Sequence, residues 1–199
     1  MKGLAESSTP GMQQSFAASL EVLGRIGTIE ELELPDRPYD PIMRIILQAE
    51  AASALEDLVE DGVIAGLTAP EDRYLSYARD AILAKDYVKA VRLRGVVARE
   101  VDGVLAGFDA LLAPGRPAVA SGLDQEFRPA LGSTPRDLIG AVGNLAGLPA
   151  VIVPNGVGER GLPTSLQLVG RAYEENSILA AARAYQALTD WHRRHPPVG

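Results

Sequence analysis

The stretch Gly143-Asn144-Leu145-Ala146-Gly147-Leu148-Pro149-Ala150-Val151-Ile152-Val153-Pro154, continued by Gly161-Leu162-Pro163-Thr164-Ser165-Leu166-Gln167-Leu168-Val169-Gly170, decides the reading of this chain. Residues 150–153 and 165–169 are short apolar runs bounded by Gly and Pro, the profile of strands buried on both faces. A Gly/Pro-rich turn over residues 155–163 joins them. Before them, Thr134-Pro135-Arg136-Asp137 reads as a helix start, with Thr134 as cap, Pro135 in the first turn and Asp137 bonding back to the cap. That helix is expected to run to about Ala146.

Outward from this stretch the pattern alternates between helix and strand. Thr9-Pro10 with Met12, Phe16, Leu20 and Leu23 predicts a capped amphipathic helix ending at Gly24. Residues 26–34 place Ile26, Thr28, Leu32 and Leu34 on one parity, interrupted by Glu30, and predict a short strand closed by Pro35 and Pro38. Asp40-Pro41 opens a second helix carrying Ile42, Ile45, Ile46, Ala49, Ala52 and Val59 on one face, with Gly62 as its stop. Residues 66–70 are a connection in which Thr68 reads as a cap. Residues 74–108 are helical in pattern almost throughout, as two helices or one bent helix, with Tyr87, Val91, Val97, Val101, Leu105 and Phe108 sharing a face. Residues 109–114 are a further strand, the third that reads as buried. The Pro- and Gly-rich residues 115–133 form a long loop of the kind that lines sites. Glu174-Glu175-Asn176 opens the last helix. Helices interspersed with strands predict an α/β layered fold with helices on both faces of the sheet.

The composition narrows the function classes. The 199 residues are 47% hydrophobic and 23% charged, sufficient for one substantial core. A net charge of −7 gives no footprint for nucleic acid or an anionic membrane surface. The absence of cysteine removes disulfides, thiolate metal sites and cysteine nucleophiles, and suits a reducing cytoplasm. The first residues lack an apolar core, so no signal peptide is expected, and no apolar run reaches membrane-spanning length. His192 and His195 flank Arg193-Arg194 without a carboxylate cluster and read as a frayed polar tail, not a metal site. Gly156-Val157-Gly158 lacks the third glycine and following helix of a dinucleotide motif and is turn chemistry.

Residues 144–150, the Gly161-Leu162-Pro163 turn, the strand Leu166 to Gly170, Tyr87 with Arg94, and Phe108-Asp109-Ala110-Leu111-Leu112-Ala113-Pro114 occur together in an order that resembles the C-terminal signature of the amidase-signature family. Pro114-Gly115-Arg116-Pro117 departs from the family's more usual Pro-Thr-x-Pro. The resemblance covers the whole chain. It implies the C-terminal part of a three-layer α/β/α fold with a mixed sheet, so that residues 1–199 form a single, incomplete domain. It also implies serine acyl transfer in the complete protein, in which a lysine acts as base, a bridging serine relays the proton and a second serine attacks the carboxamide. The family's Gly-Gly-Ser-Ser-Gly-Gly-like loop has no counterpart here. Ser7-Ser8 is the only serine pair and lacks flanking glycines, and Lys2, Lys85 and Lys89 are the only lysines. No catalytic residue is therefore assigned, and no cofactor or metal is implied.

Three residues are candidates for facing a substrate. Asp137 precedes Asn144 by seven residues, where some family members, glutamine-using ones included, carry an aspartate toward the substrate; its other reading is the cap role given to it above. Asn144 reads chiefly as a buried amide pinning the helix end. Arg116 follows a buried strand end and could meet an anionic group, although a solvated loop arginine is the plainer reading. The functional reading is a portion of an amide hydrolase acting on a small carboxamide. The alternatives are a non-catalytic interaction module and a piece of a glutamine-dependent amidotransferase subunit. Four short strands among many helices leave the sheet short of partners, so an exposed apolar edge is expected, and with it either a complementing N-terminal half or self-association.

Overall fold

The computed structural model describes residues 5–67, 81–123 and 138–195. Helix α1 (Pro10–Leu23) starts as expected, with Pro10 in its first turn behind an extended Thr9, and buries Met12, Phe16, Ser19 and Leu23 at helical spacing. Helix α2 (Tyr39–Ala54) buries Ile42 and Ile46 but stops earlier than the sequence pattern predicts. Leu55, at φ −114° and ψ 13°, breaks the helix, and a separate five-residue α3 (Glu56–Glu60) follows before Gly62 at φ 72°. The stop signal at Gly62 thus ends α3, not α2. Thr68 lies outside the described residues.

Helix α4 (Ala84–Leu105), at 22 residues, is the longest helix among the described residues. Residues 81–83 before it are not helical, and Phe108 lies beyond its end. Its buried stripe is Ala90, Val97, Val101 and Leu105, whereas Val91 is exposed. Strand β1 (Leu111–Pro114), helix α5 (Leu138–Ala146), strands β2 (Ala150–Val157) and β3 (Pro163–Val169) and helix α6 (Glu175–Ala187) complete the order.

The three strands pair in the order β1-β3-β2, and both pairings are antiparallel. The described strands form a wholly antiparallel sheet, and the mixed sheet is expected of the complete fold. Alternation along the strands sorts side chains onto two faces. Leu111, Ala113 and Val169 join a core cluster with α2, α4 and α5, while Val153, Leu166 and Leu168 join a second cluster with α1 and α6. Helices therefore cover both faces, giving the expected α/β/α layering. Leu166 and Leu168 have no exposed surface, and each such burial stabilises by about 1.5–3 kcal/mol relative to exposure.

The cover is uneven. By register Ala150 and Ile152 of β2 share the face of Val169 and Gln167, yet both are exposed, Ile152 at 57%. The apolar edge anticipated from the strand count is present at β2. Residues 26–34, by contrast, form no strand. Their alternating pattern suits a strand, but among the described residues nothing pairs with them, and an extended segment becomes sheet only by pairing.

Candidate functional site

At one end of the sheet the motif from Asn144 to Pro149 is a helix terminus. Gly147 takes φ 72°, and the N–H of Leu148 donates to the carbonyl of Gly143 at 2.9 Å, the six-to-one bond of a Schellman cap. Leu148 packs onto the core as the apolar residue that accompanies such a cap. Arg94 of α4 donates from Nε to the Leu145 carbonyl at 3.0 Å and so satisfies another open carbonyl of the helix end. Asn144 itself is exposed on α5. The buried-amide reading of Asn144 is corrected: Gly147 and Arg94 hold the helix end, because a left-handed residue and a guanidinium reach carbonyls that the Asn144 side chain does not. Gly170 then donates its N–H to the Pro149 carbonyl at 3.0 Å and ties this end to β3.

At the other end, β2 and β3 meet in a tight turn. Arg160 (φ 58°, ψ 18°) and Gly161 (φ 73°) are its two central residues, and Leu162 donates to the Glu159 carbonyl at 3.1 Å, as a type I′ turn requires. Glu159 reaches from this turn to the start of α1. Its carboxylate accepts the Gly11 N–H at 2.8 Å and the Thr9 hydroxyl at 3.0 Å. Thr9 does not cap α1 with its own side chain; a carboxylate 150 residues away does so, where the helix dipole favours negative charge. Those bonds hold Glu159 below the ordinary carboxylate range, the Gly11 N–H contributing most. Arg160 also donates from Nη2 to the Ala120 carbonyl, anchoring the loop that carries Arg116.

Between the two ends lies a buried polar chain that the sequence pattern did not reveal. The ladder slips between Pro154 and Gly156, leaving Asn155 as an unpaired bulge residue whose side chain turns inward. Ser19 donates to the Ser15 carbonyl at 2.8 Å, so its oxygen is an acceptor for Asn155 Nδ2 at 2.9 Å and for the Tyr185 hydroxyl at 3.1 Å. Thr164 donates to Asn155 Oδ1 at 2.8 Å. Burial raises the Tyr185 hydroxyl pKa, with the Ser19 bond opposing it, which keeps Tyr185 a donor. Gly156 is required here because a Cβ would lie 2.4 Å from Ser15 Oγ. The available signal was Asn155-Gly156 after an apolar run, which reads as a turn but is a bulge.

The sequence-predicted residues are not brought together. β1 and β2 run in the same direction, both antiparallel to β3. Arg116 follows the end of β1 and Asn144 precedes the start of β2, so the register sends them toward opposite ends of the sheet; both are exposed. Asp137 lies outside the described residues. Lys85 and Lys89 are exposed on α4, and Ser19 is fully engaged, so neither lysine activates it as a nucleophile. Among the described residues no cluster of His, Asp and Glu suits a metal ion, and no helix is long and apolar enough to cross a membrane. The tail reading is corrected in part. Trp191–Arg193 form a 3₁₀ turn in contact with β2, and Arg194 stacks at 3.9 Å on Trp191 while pairing with Asp190.

A family model described as Amidase matches residues 3–179. A glutamyl-tRNA(Gln) amidotransferase subunit of Roseiflexus castenholzii is 33% identical over 214 residues, covering 95% of this chain and 43% of that protein. The corresponding protein of Streptococcus pyogenes serotype M1 is 32% identical, with 97% and 44% covered. Among solved structures, an amidase superposes with a TM-score of 0.77 at 26% identity, over 92% of this chain and 43% of its own. The native peptide amidase from Stenotrophomonas maltophilia gives 0.72 at 25% identity, over 94% and 41%. The chain thus spans less than half the length of the relatives it matches.

Proposed function

The chain belongs to the amidase family, as its C-terminal part, and from that premise we propose that it is a single, incomplete domain of an amide hydrolase. In the complete protein a carboxamide is converted to a carboxylate and ammonia or an amine through a serine acyl-enzyme. The observation that carries this reading is the family match over residues 3–179, with the Asn144–Pro149 cap and the β2–β3 hairpin folded as one continuous unit. The nucleophile and its lysine are supplied by sequence outside this chain, and this chain alone is inactive. Its own contribution is structural first. It supplies one side of the sheet and the loop after β1, from which Arg116, with Asp137 before α5, is proposed to face the substrate. Asn144, exposed on α5 at the opposite end of the sheet from Arg116, is proposed as a contact only for a substrate long enough to reach that end. A cytoplasmic location belongs to the same proposal and is supported by the cysteine-free composition.

A second reading is favoured by a specific observation: the two relatives from Roseiflexus and Streptococcus are components of a glutamyl-tRNA(Gln) amidotransferase. On that reading the complete protein draws ammonia from glutamine. One assay separates the readings. Purified residues 1–199 are tested for ammonia release from glutamine and from a panel of simple carboxamides, alone and with a polypeptide carrying the family's serine–lysine region. Turnover by the chain alone refutes the proposal. Turnover of simple carboxamides after mixing supports the hydrolase, and turnover confined to glutamine supports the amidotransferase piece. Silence in both settings favours a non-catalytic interaction module.

A further inference from the structure

Asn155-Gly156 carries a chemistry that the folded chain suppresses. Of the three asparagines in the sequence, Asn144, Asn155 and Asn176, only Asn155 is followed by glycine. With no side chain on the following residue, the backbone nitrogen of Gly156 can approach the Asn155 carboxamide carbon closely once the chain is open. That nitrogen bonds to Cγ and gives up its proton, the Cγ–Nδ2 bond breaks, and ammonia leaves with the proton to yield a five-membered succinimide. Water then adds to one of the two imide carbonyls and opens the ring to aspartate or isoaspartate. The step needs no oxidant, reductant or second protein.

The fold blocks this step in two ways. The carboxamide is held at both ends, with Nδ2 donating to Ser19 of α1 at 2.9 Å and Oδ1 accepting from Thr164 of β3 at 2.8 Å, so turning Cγ onto the Gly156 nitrogen breaks both bonds. Asn155 is 3% exposed and Gly156 is buried, which keeps out the water that carries the proton and opens the ring. The product, once formed, does not fit the site. Ser19 commits its proton to the Ser15 carbonyl, so an aspartate at position 155 sets acceptor against acceptor and buries a charge among hydroxyls. An isoaspartate lengthens the β2 main chain by one atom at the bulge and shifts the register beyond it. We propose that Asn155-Gly156 is a deamidation site guarded by its hydrogen bonds to Ser19 and Thr164, and that its conversion turns unfolding of this chain from a reversible into an irreversible event. The inference holds whichever amide the complete protein cleaves.

The test incubates residues 1–199 and a Thr164→Val variant over a series of urea concentrations. Peptide mass spectrometry follows Asn144, Asn155 and Asn176, and far-ultraviolet circular dichroism follows unfolding in the same samples. In fully unfolding urea Asn155 is expected to convert fastest of the three, although Asn144 and Asn176 are the exposed ones in the folded chain. Below the transition its rate should fall in proportion to the unfolded population. Thr164→Val orphans Asn155 Oδ1 and, at a given urea concentration below the transition, should raise that rate by about 5- to 150-fold. After dilution from urea, refolded chain isolated by size exclusion should carry about tenfold less conversion at 155 than the chains that fail to refold. Equal rates at Asn155 in buffer and in unfolding urea overturn the guard. Equal conversion in the refolded and unfolded fractions overturns the irreversible step, and an Asn155 that outlasts Asn144 and Asn176 in urea overturns the site.

Discussion

Replacing Asn155 by alanine is expected to be among the most damaging single changes to this chain that touch no large apolar side chain. Asn155 is 3% exposed and bridges α1 to β3 through bonds of 2.9 Å to Ser19 and 2.8 Å to Thr164. Two neutral hydrogen bonds contribute about 1–3 kcal/mol together. Their loss leaves the Thr164 hydroxyl, 2% exposed, without its acceptor, which adds roughly 1–3 kcal/mol. Ser19 loses less, because it still donates to the Ser15 carbonyl and still accepts from Tyr185. The net expectation for Asn155→Ala is about 2–6 kcal/mol, or a melting temperature lower by roughly 5–25 °C for a chain of this size. Thr164→Val keeps the shape and orphans Asn155 Oδ1, at about 1–3 kcal/mol. The double variant removes both orphans, so it should be less destabilised than the sum of the singles by roughly 1–2 kcal/mol. Urea unfolding of the four proteins, followed by far-ultraviolet circular dichroism, measures the cycle. Additivity within about 0.5 kcal/mol, or a single-variant cost for Asn155→Ala below that, would refute the network.

Two glycines separate strain from clash. Gly147→Ala places a Cβ at φ 72° with its nearest neighbour 3.7 Å away, so about 1–2 kcal/mol of backbone strain is expected and little repacking. Gly156→Ala drives a Cβ to 2.4 Å from Ser15 Oγ and 2.9 Å from Ser15 Cβ, so a cost of about 1–3 kcal/mol is expected, with α1 shifting; unperturbed α1 amide shifts would contradict this. Ile152→Lys charges the open edge of β2 and is expected to change unfolding stability by less than about 0.5 kcal/mol while lowering self-association in light scattering; a large loss of stability would mean that the face is covered. Glu159 has its pKa depressed in the folded state, so its stabilisation is full above the unfolded value and is lost as pH falls through the folded one. The melting temperature of the parent should therefore fall more steeply with acid than that of Glu159→Gln, and parallel pH profiles would remove Glu159 as the cap of α1.

Family membership changes what the open surfaces of this chain mean. In a complete small domain, an exposed β2 edge with no charged residue would be an aggregation liability. Here it belongs to a chain that spans less than half the length of the relatives it matches. The same holds for the unpaired residues 26–34. The β2 edge belongs to the three-stranded sheet, which the Schellman cap, the type I′ turn and the Glu159 clamp hold together, whereas residues 26–34 lie outside that sheet.

Elements whose causes are local were legible in the residues alone. Pro10 after Thr9 starts α1, Gly147 before Leu148-Pro149 ends α5, and the apolar runs around Ile152 and Leu168 are strands, because capping geometry, left-handed φ and alternation act within a few residues. The same local signals carried the family resemblance. Tertiary structure decided the rest. Residues 26–34 carry a strand's pattern, but pairing needs a partner that no local signal provides. Asn155-Gly156 carries a turn's signal, but the register of β2 against β3 makes it a bulge and buries its amide beneath α1 and α6. Asn144 reads as a buried pin, but Arg94, fifty-one residues before Leu145, reaches the helix end and leaves Asn144 in solvent. Glu159 caps a helix that begins 149 residues before it, and only the folded chain brings carboxylate and helix dipole together.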